Sequence, residues 1–92
     1  MGVTAAPSTT TVRVRFFAGA RAAVGHDEET VRLPGGATLH DLVADLGGRH
    51  GAGLTRVLTA CSFLLDAVAV RDTSTAVPDG ATVDVLPPFA GG

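Results

Sequence analysis

The sequence predicts an α+β fold, a mixed sheet of about four to five strands packed on one main helix. Three observations carry that prediction. Runs of β-branched and aromatic residues alternate at period two near both ends of the chain. One stretch, Leu39 to Leu46, has a 3.6-residue apolar stripe preceded by a helix-start signal. The punctuation between segments is short and rich in Gly and Pro, and nothing repeats, so all elements belong to one unit.

The first strand is Thr11 to Phe17, with Val12, Val14 and Phe16 inward and Arg13, Arg15 and Phe17 outward. Ala18 to Asp27 reads as a turn-rich connection. Glu29 to Leu33 follows as the second strand, ended by Pro34-Gly35-Gly36. Thr38 and Asp41 form an approximate capping box for the helix, whose stripe is Leu39, Leu42, Val43 and Leu46. Gly47 and Gly48 read as its stop, with room for a frayed turn through Arg49 and His50. Leu54 to Leu58 suggests a single helical turn, Cys61 to Leu65 a third strand, and Val68 to Arg71 a short fourth one after a turn at Asp66-Ala67. Pro78-Asp79-Gly80 turns the chain into the last strand, Thr82 to Leu86. If that strand lies beside the first, Asp84 can pair with Arg13 or Arg15. Phe17 and Leu86 then form an exposed apolar pair, which reads equally as a partner surface or as incomplete burial in a small domain.

Domain organisation follows: a flexible N-terminal leader at 1–11, a folded domain at 12–86 and an extended tail at 87–92. The 92 residues, 46% of them hydrophobic, suffice for one modest core. A net charge of −2 carries no basic excess, so no nucleic-acid partner is expected. No 18-residue apolar run is present, and no membrane role is expected. All seven basic residues are Arg, which removes P-loop and Schiff-base chemistry that needs a Lys amine. The leader lacks the pattern of a secretory signal, and a lone Cys61 fits a reducing compartment, so a cytoplasmic location is expected.

Catalytic groupings are sparse. His26, His40 and His50 show no metal-ligand spacing and read as solvated side chains, so no metal site is expected. Cys61 has no activating neighbour in sequence and reads as core filler. The glycine clusters follow a helix and do not match GxGxxG, and Asp45 with Arg49 is an ordinary i,i+4 surface pair.

The chain's end, Val85-Leu86-Pro87-Pro88-Phe89-Ala90-Gly91-Gly92, is physically distinctive. Pro87 and Pro88 have fixed φ and no amide hydrogen, so they stop a sheet ladder and favour an extended exit. Six extended residues reach roughly 20 Å, enough to enter a partner's active site. Gly91 and Gly92 lack side chains and can thread a narrow channel, presenting a carboxylate for activation by adenylation and conversion to a thiocarboxylate.

Val14-Arg15-Phe16-Phe17-Ala18, Gly36-Ala37-Thr38 with Leu42, and Asp79-Gly80 through Pro87-Pro88-Phe89-Ala90-Gly91-Gly92 together resemble the MoaD/ThiS family of β-grasp, ubiquitin-like sulfur carriers, over about residues 12 to 92. The likeness is strongest to the molybdopterin branch. It implies that Gly92 is the attachment point for the adenylate and thiocarboxylate, that Gly91 and Ala90 give the tail access, and that Phe17, Leu86, Pro87, Pro88 and Phe89 meet partners. Implied partners are a MoaE-like large molybdopterin synthase subunit, a MoeB-like E1 adenylyltransferase that uses ATP, and a sulfurtransferase or other sulfur donor. In that setting sulfur passes to cyclic pyranopterin monophosphate for molybdenum cofactor biosynthesis. The chain would be a carrier subunit with no bound cofactor and no stand-alone catalytic site. Two features depart from the family: a longer leader, and a segment from Asp66 to Thr75 that lacks the Asn-Gly turn often found there. Competing readings are a carrier for thiamine, cysteine or another sulfur-containing metabolite, a ubiquitin-like protein modifier, and a non-catalytic β-grasp interaction module. A β-grasp ferredoxin would need four Cys and is excluded.

Overall fold

The computed structural model describes residues 9–88, which form five strands and three helices. In chain order these are β1 (Thr9–Phe16), α1 (Ala18–Val24), β2 (Glu28–Pro34), α2 (Leu39–His50), α3 (Ala52–Leu58), β3 (Ser62–Leu65), β4 (Val68–Val70) and β5 (Thr82–Leu86). The sheet order is β2-β1-β5-β3-β4. β1 runs antiparallel to β2 and parallel to β5, and β3 is antiparallel to both β5 and β4, so the sheet is mixed as expected.

Period-two alternation along β1 buries Val12, Val14 and Phe16, which meet Val31 and Leu33 of β2 and Val83 and Val85 of β5. Against that face lie Leu39, Leu42 and Leu46 of α2, with Leu54 and Leu58 of α3 closing one side. Each fully buried Leu or Phe contributes about 1.5–3 kcal/mol through loss of apolar surface to water. Among the described residues, no buried side-chain nitrogen or oxygen lacks a hydrogen-bond partner.

The start of α2 is capped from two directions. Thr38 Oγ1 accepts from the Asp41 N–H at 3.2 Å, and Asp41 Oδ2 accepts from the Thr38 N–H at 2.9 Å, which completes the capping box. The loop before β5 satisfies two more amides: Leu39 donates to the Thr75 carbonyl and His40 to that of Thr73, both at 2.9 Å. The backbone N–H of Thr38, more than its hydroxyl, holds the Asp41 carboxyl below its ordinary range.

Several boundaries differ from the sequence expectations. β1 starts at Thr9, and Thr10 and Thr11 pair with Leu33 and Arg32, so residues 9–11 belong to the sheet and not to the leader. Thr is a good strand former, and the polar composition of this run hid that. Ala18 to Val24 is a helix instead of a turn-rich connection, ended by Gly25 in the left-handed region at φ 92°. Four of its seven residues are Ala, which favours helix without providing an apolar stripe. Likewise α2 runs through Gly47 and Gly48 to His50, and α3 has seven residues instead of a single turn. Gly47 is small for a packing reason: a Cβ there would meet Thr55 Oγ1 at 2.6 Å, where α3 crosses α2.

The β3–β4 turn uses Asp66 and Ala67 at φ 47° and 71°, two successive left-handed residues as in a type I′ hairpin. Asp66 is anchored from both sides. Its N–H donates to the Thr82 carbonyl at 2.8 Å, and its Oδ1 accepts from the Thr82 N–H at 2.9 Å.

Candidate functional site

β5 lies in the interior of the sheet, between β1 and β3, and its end is the root of the tail. Leu86 is still in register with Ser62 of β3, and Phe17 N–H reaches the Val85 carbonyl at 3.3 Å on the other side. The next residues, Pro87 and Pro88, have no N–H to continue either ladder. Pro87 is half-buried and Pro88 exposed. Phe89, Ala90, Gly91 and Gly92 lie outside the described residues.

The outer sheet face beside this root is built from alternate residues of the strands that form the core. Arg15 is opposite Asp84, and Asp84 is opposite Leu64 on its other side, so the three share the outer face. Arg15 Nε donates to Asp84 Oδ1 at 2.6 Å and Nη2 to Oδ2 at 3.0 Å, a bidentate pair. The hydrogen bonds to Asp84, and then its charge, raise the Arg15 pKa. Asp84 is buried whereas Arg15 is half exposed, so the carboxylate depends on this one guanidinium. Of the two arginines expected to compete, Arg13 pairs instead with Glu28 at 3.4 Å.

The Arg15 guanidinium carbon also stands 5.8 Å from the Phe17 ring centroid, a cation–π contact that fixes the ring's position. Phe17 is 39% exposed and is one of two exposed large apolar side chains among the described residues. Leu86 is half-buried. Phe17, Leu86 and Pro87 are therefore gathered at the tail root. Leu64, half-buried on the same face opposite Asp84, adds apolar surface two residues along from Leu86, and was missed in the sequence because its period-two partner Ser62 is polar.

Cys61 packs against the core, its thiol donates to the Val57 carbonyl at 3.2 Å, and burial pushes its pKa up. It is not an activated nucleophile. His40 on α2 and His26 are exposed, in agreement with the sequence expectation, but His50 is largely covered, and His26 and His50 are brought together. Both contact Glu29: the Nε2 atoms lie 3.0 Å and 2.7 Å from Glu29 Oε1. The sequence hides this grouping because His50 is 21 residues from Glu29 and only the fold closes that gap.

A mixed sheet in the order β2-β1-β5-β3-β4, wrapped around α2 and delivering its chain end from β5, defines a ubiquitin-like β-grasp protein. Residues 14–92 match the ThiS family, and the chain belongs to that family. It is 37% identical over 82 residues to the molybdopterin synthase sulfur carrier subunit of Chlamydomonas reinhardtii, covering 88% of this chain and 98% of that protein. Among solved structures, SAMP1 of Haloferax volcanii superposes with a TM-score of 0.78 at 25% identity, covering 89% of this chain and 99% of that one. A chain from the complex of subunits 1 and 2 of the Helicobacter pylori molybdopterin-converting factor superposes with a TM-score of 0.67 at 26% identity, covering 90% and 100%. No helix among the described residues is long and apolar enough to cross a membrane.

Proposed function

We propose that this chain is a sulfur carrier serving molybdenum cofactor biosynthesis, with the carboxyl of Gly92 as the group that is loaded. The observation that carries the reading is the tail root: an interior strand ending at Leu86 passes straight into Pro87-Pro88 beside the exposed Phe17. The family match extends through residue 92, and the Chlamydomonas relative bears the name of this function.

In this reading the Gly92 carboxylate attacks the α-phosphorus of ATP on an E1-like adenylyltransferase and releases pyrophosphate. Hydrosulfide, or a sulfurtransferase delivering its equivalent, then adds to the acyl carbon and expels AMP, leaving a thiocarboxylate. Gly91 and Ala90 let the tail thread a partner's channel. A large subunit docks on Phe17, Leu86, Pro87, Pro88 and Phe89, where two successive transfers convert cyclic pyranopterin monophosphate into a dithiolene. The subunit 1 and 2 complex from Helicobacter supports such a partner. The protein contributes position and an activated sulfur, while its partners contribute the catalytic groups.

The test is intact-mass analysis after incubation with ATP, an E1-like activator and a sulfur donor. Replacement of one C-terminal oxygen by sulfur is expected, followed by its loss to the cyclic precursor when the large subunit is added. A chain carrying one extra residue after Gly92 should not be loaded; loading of that variant without trimming overturns the reading. A second reading is a protein modifier, after the name printed for the Haloferax volcanii small archaeal modifier protein 1, whose fold this chain shares. It requires isopeptide conjugates to target lysines in extracts, which the carrier reading does not.

A further inference from the structure

Away from the tail, three side chains from different elements converge at the inner rim of the sheet. His26 comes from the connection between α1 and β2, Glu29 from β2, and His50 is the last residue of α2. One ligand atom from each lies within 4.8 Å of the others. Glu29 is opposite Val14 in the β1–β2 register, so it occupies the core-facing row with Val31 and Leu33. Its side chain is only 15% exposed and that of His50 18%, whereas His26 is 47% exposed. Phe16 forms an apolar floor, its ring centroid 6.1 Å from His26 and 6.2 Å from His50 in edge-on contacts. The site thus has a dry base and one side open to water.

We propose that His26, Glu29 and His50 form a binding site for a divalent transition-metal ion of the zinc class, with two imidazole nitrogens and one carboxylate oxygen as ligands. Two imidazoles and a carboxylate suit zinc, and three protein ligands leave a further position for solvent on the exposed His26 side. In tetrahedral coordination with bonds of about 2.0–2.1 Å, neighbouring ligand atoms stand about 3.3 Å apart. The present separations of 3.0 Å and 2.7 Å require each imidazole to withdraw by a few tenths of an ångström, which side-chain rotation supplies. Both rings already aim Nε2 at the same oxygen; the ligand atoms, now within 4.8 Å of one another, must also bring the two imidazole nitrogens to about 3.3 Å for one ion to take all three. The ion would clamp the α1–β2 connection to the end of α2. Phe16, beneath the site, is opposite Val85, which places the clamp at the end of the sheet from which the tail departs. Binding at this site does not depend on the carrier role.

The test is titration of the full chain with Zn2+ by calorimetry and with Co2+ by visible absorption. One ion per chain is expected, with a Kd of about 10 µM or tighter and Co2+ ligand-field bands free of thiolate charge transfer. At a hundredfold excess over Kd, Zn2+ should raise the Tm by about 10–20 °C. Glu29→Gln and His50→Gln should each weaken Zn2+ at least about tenfold, while His40→Gln should bind as the parent does. Because His50 and Glu29 variants can lose structure, the parent chain is also followed by long-range 1H–15N NMR. There, Zn2+ should move the Nε2 resonances of His26 and His50 and leave those of His40 in place. Absence of binding at about 100 µM Zn2+, equal affinity in folded variants, or His26 and His50 resonances that stay still would each overturn the proposal and leave a plain hydrogen-bonded trio.

Discussion

The two faces of the sheet at the tail end are made by neighbouring residues, yet they differ in kind. Along β1, Val14 and Phe16 point into the core and support the rim where Glu29 meets His26 and His50. Arg15, and Phe17 just beyond the strand, point outward to Asp84 and to the tail root. The outer face is assembled between strands paired side by side, so its partners lie in register. The inner rim is assembled between a strand, a loop and a helix end, so its partners meet only through three-dimensional packing. Substitutions one residue apart should therefore have separate consequences: inner ones on stability, outer ones on association.

The largest expected effect is on the inner side. Phe16→Ala should cost about 3–5 kcal/mol in chemical denaturation, because a fully packed ring is removed and a cavity left beneath α2. Next, Phe17→Asp should leave the denaturation midpoint nearly unchanged while weakening binding to the large subunit about 30-fold or more, equivalent to about 2 kcal/mol at a hot-spot position. Loss of stability in Phe17→Asp comparable to that of Phe16→Ala would dissolve the distinction between the faces.

Smaller changes sharpen it. A methyl group added at Gly48 would meet nothing within 4 Å, so Gly48→Ala should stabilise the chain by about 0.8–1 kcal/mol through helix propensity. Gly47→Ala, one residue earlier, should fail to gain this and instead destabilise, because the methyl meets the stiff Thr55 side chain whose hydroxyl is bonded to the Gly51 carbonyl. In the hairpin, Ala67→Gly should stabilise by about 0.5–1 kcal/mol by removing the Cβ from a left-handed residue. All three are read from denaturation midpoints.

The smallest effect concerns acid. The Asp41 carboxyl is held below its ordinary value of 3.8 chiefly by the Thr38 N–H, so its folded pKa is lower than its unfolded one. Its contribution is present in full above the unfolded value and is lost as pH falls through the folded one. Asp41→Asn should therefore flatten the acid limb of the stability profile without altering its shape near neutrality, and an unchanged limb would assign the acid sensitivity to other carboxylates.

Much of this protein was legible in residues that interact locally or in strict alternation. The inward row Val12-Val14-Phe16, the capping box of Thr38 and Asp41, and the outward Arg15 and Phe17 follow from period two, period 3.6 and a three-residue cap, none of which needs tertiary information. The double proline after β5 marked the end of the ladder for the same local reason: a missing N–H is a property of the residue. Packing decided the rest. Gly47 reads as a helix stop until α3 is laid against it, and Ala18 to Val24 lacks a stripe because only Ala20 is buried. Which arginine takes Asp84 depends on the parallel register of β1 with β5, and the approach of His50 to Glu29 depends on the angle at which α2 crosses the sheet. Those are distances between elements far apart in sequence, and side-chain periodicity contains no information about them.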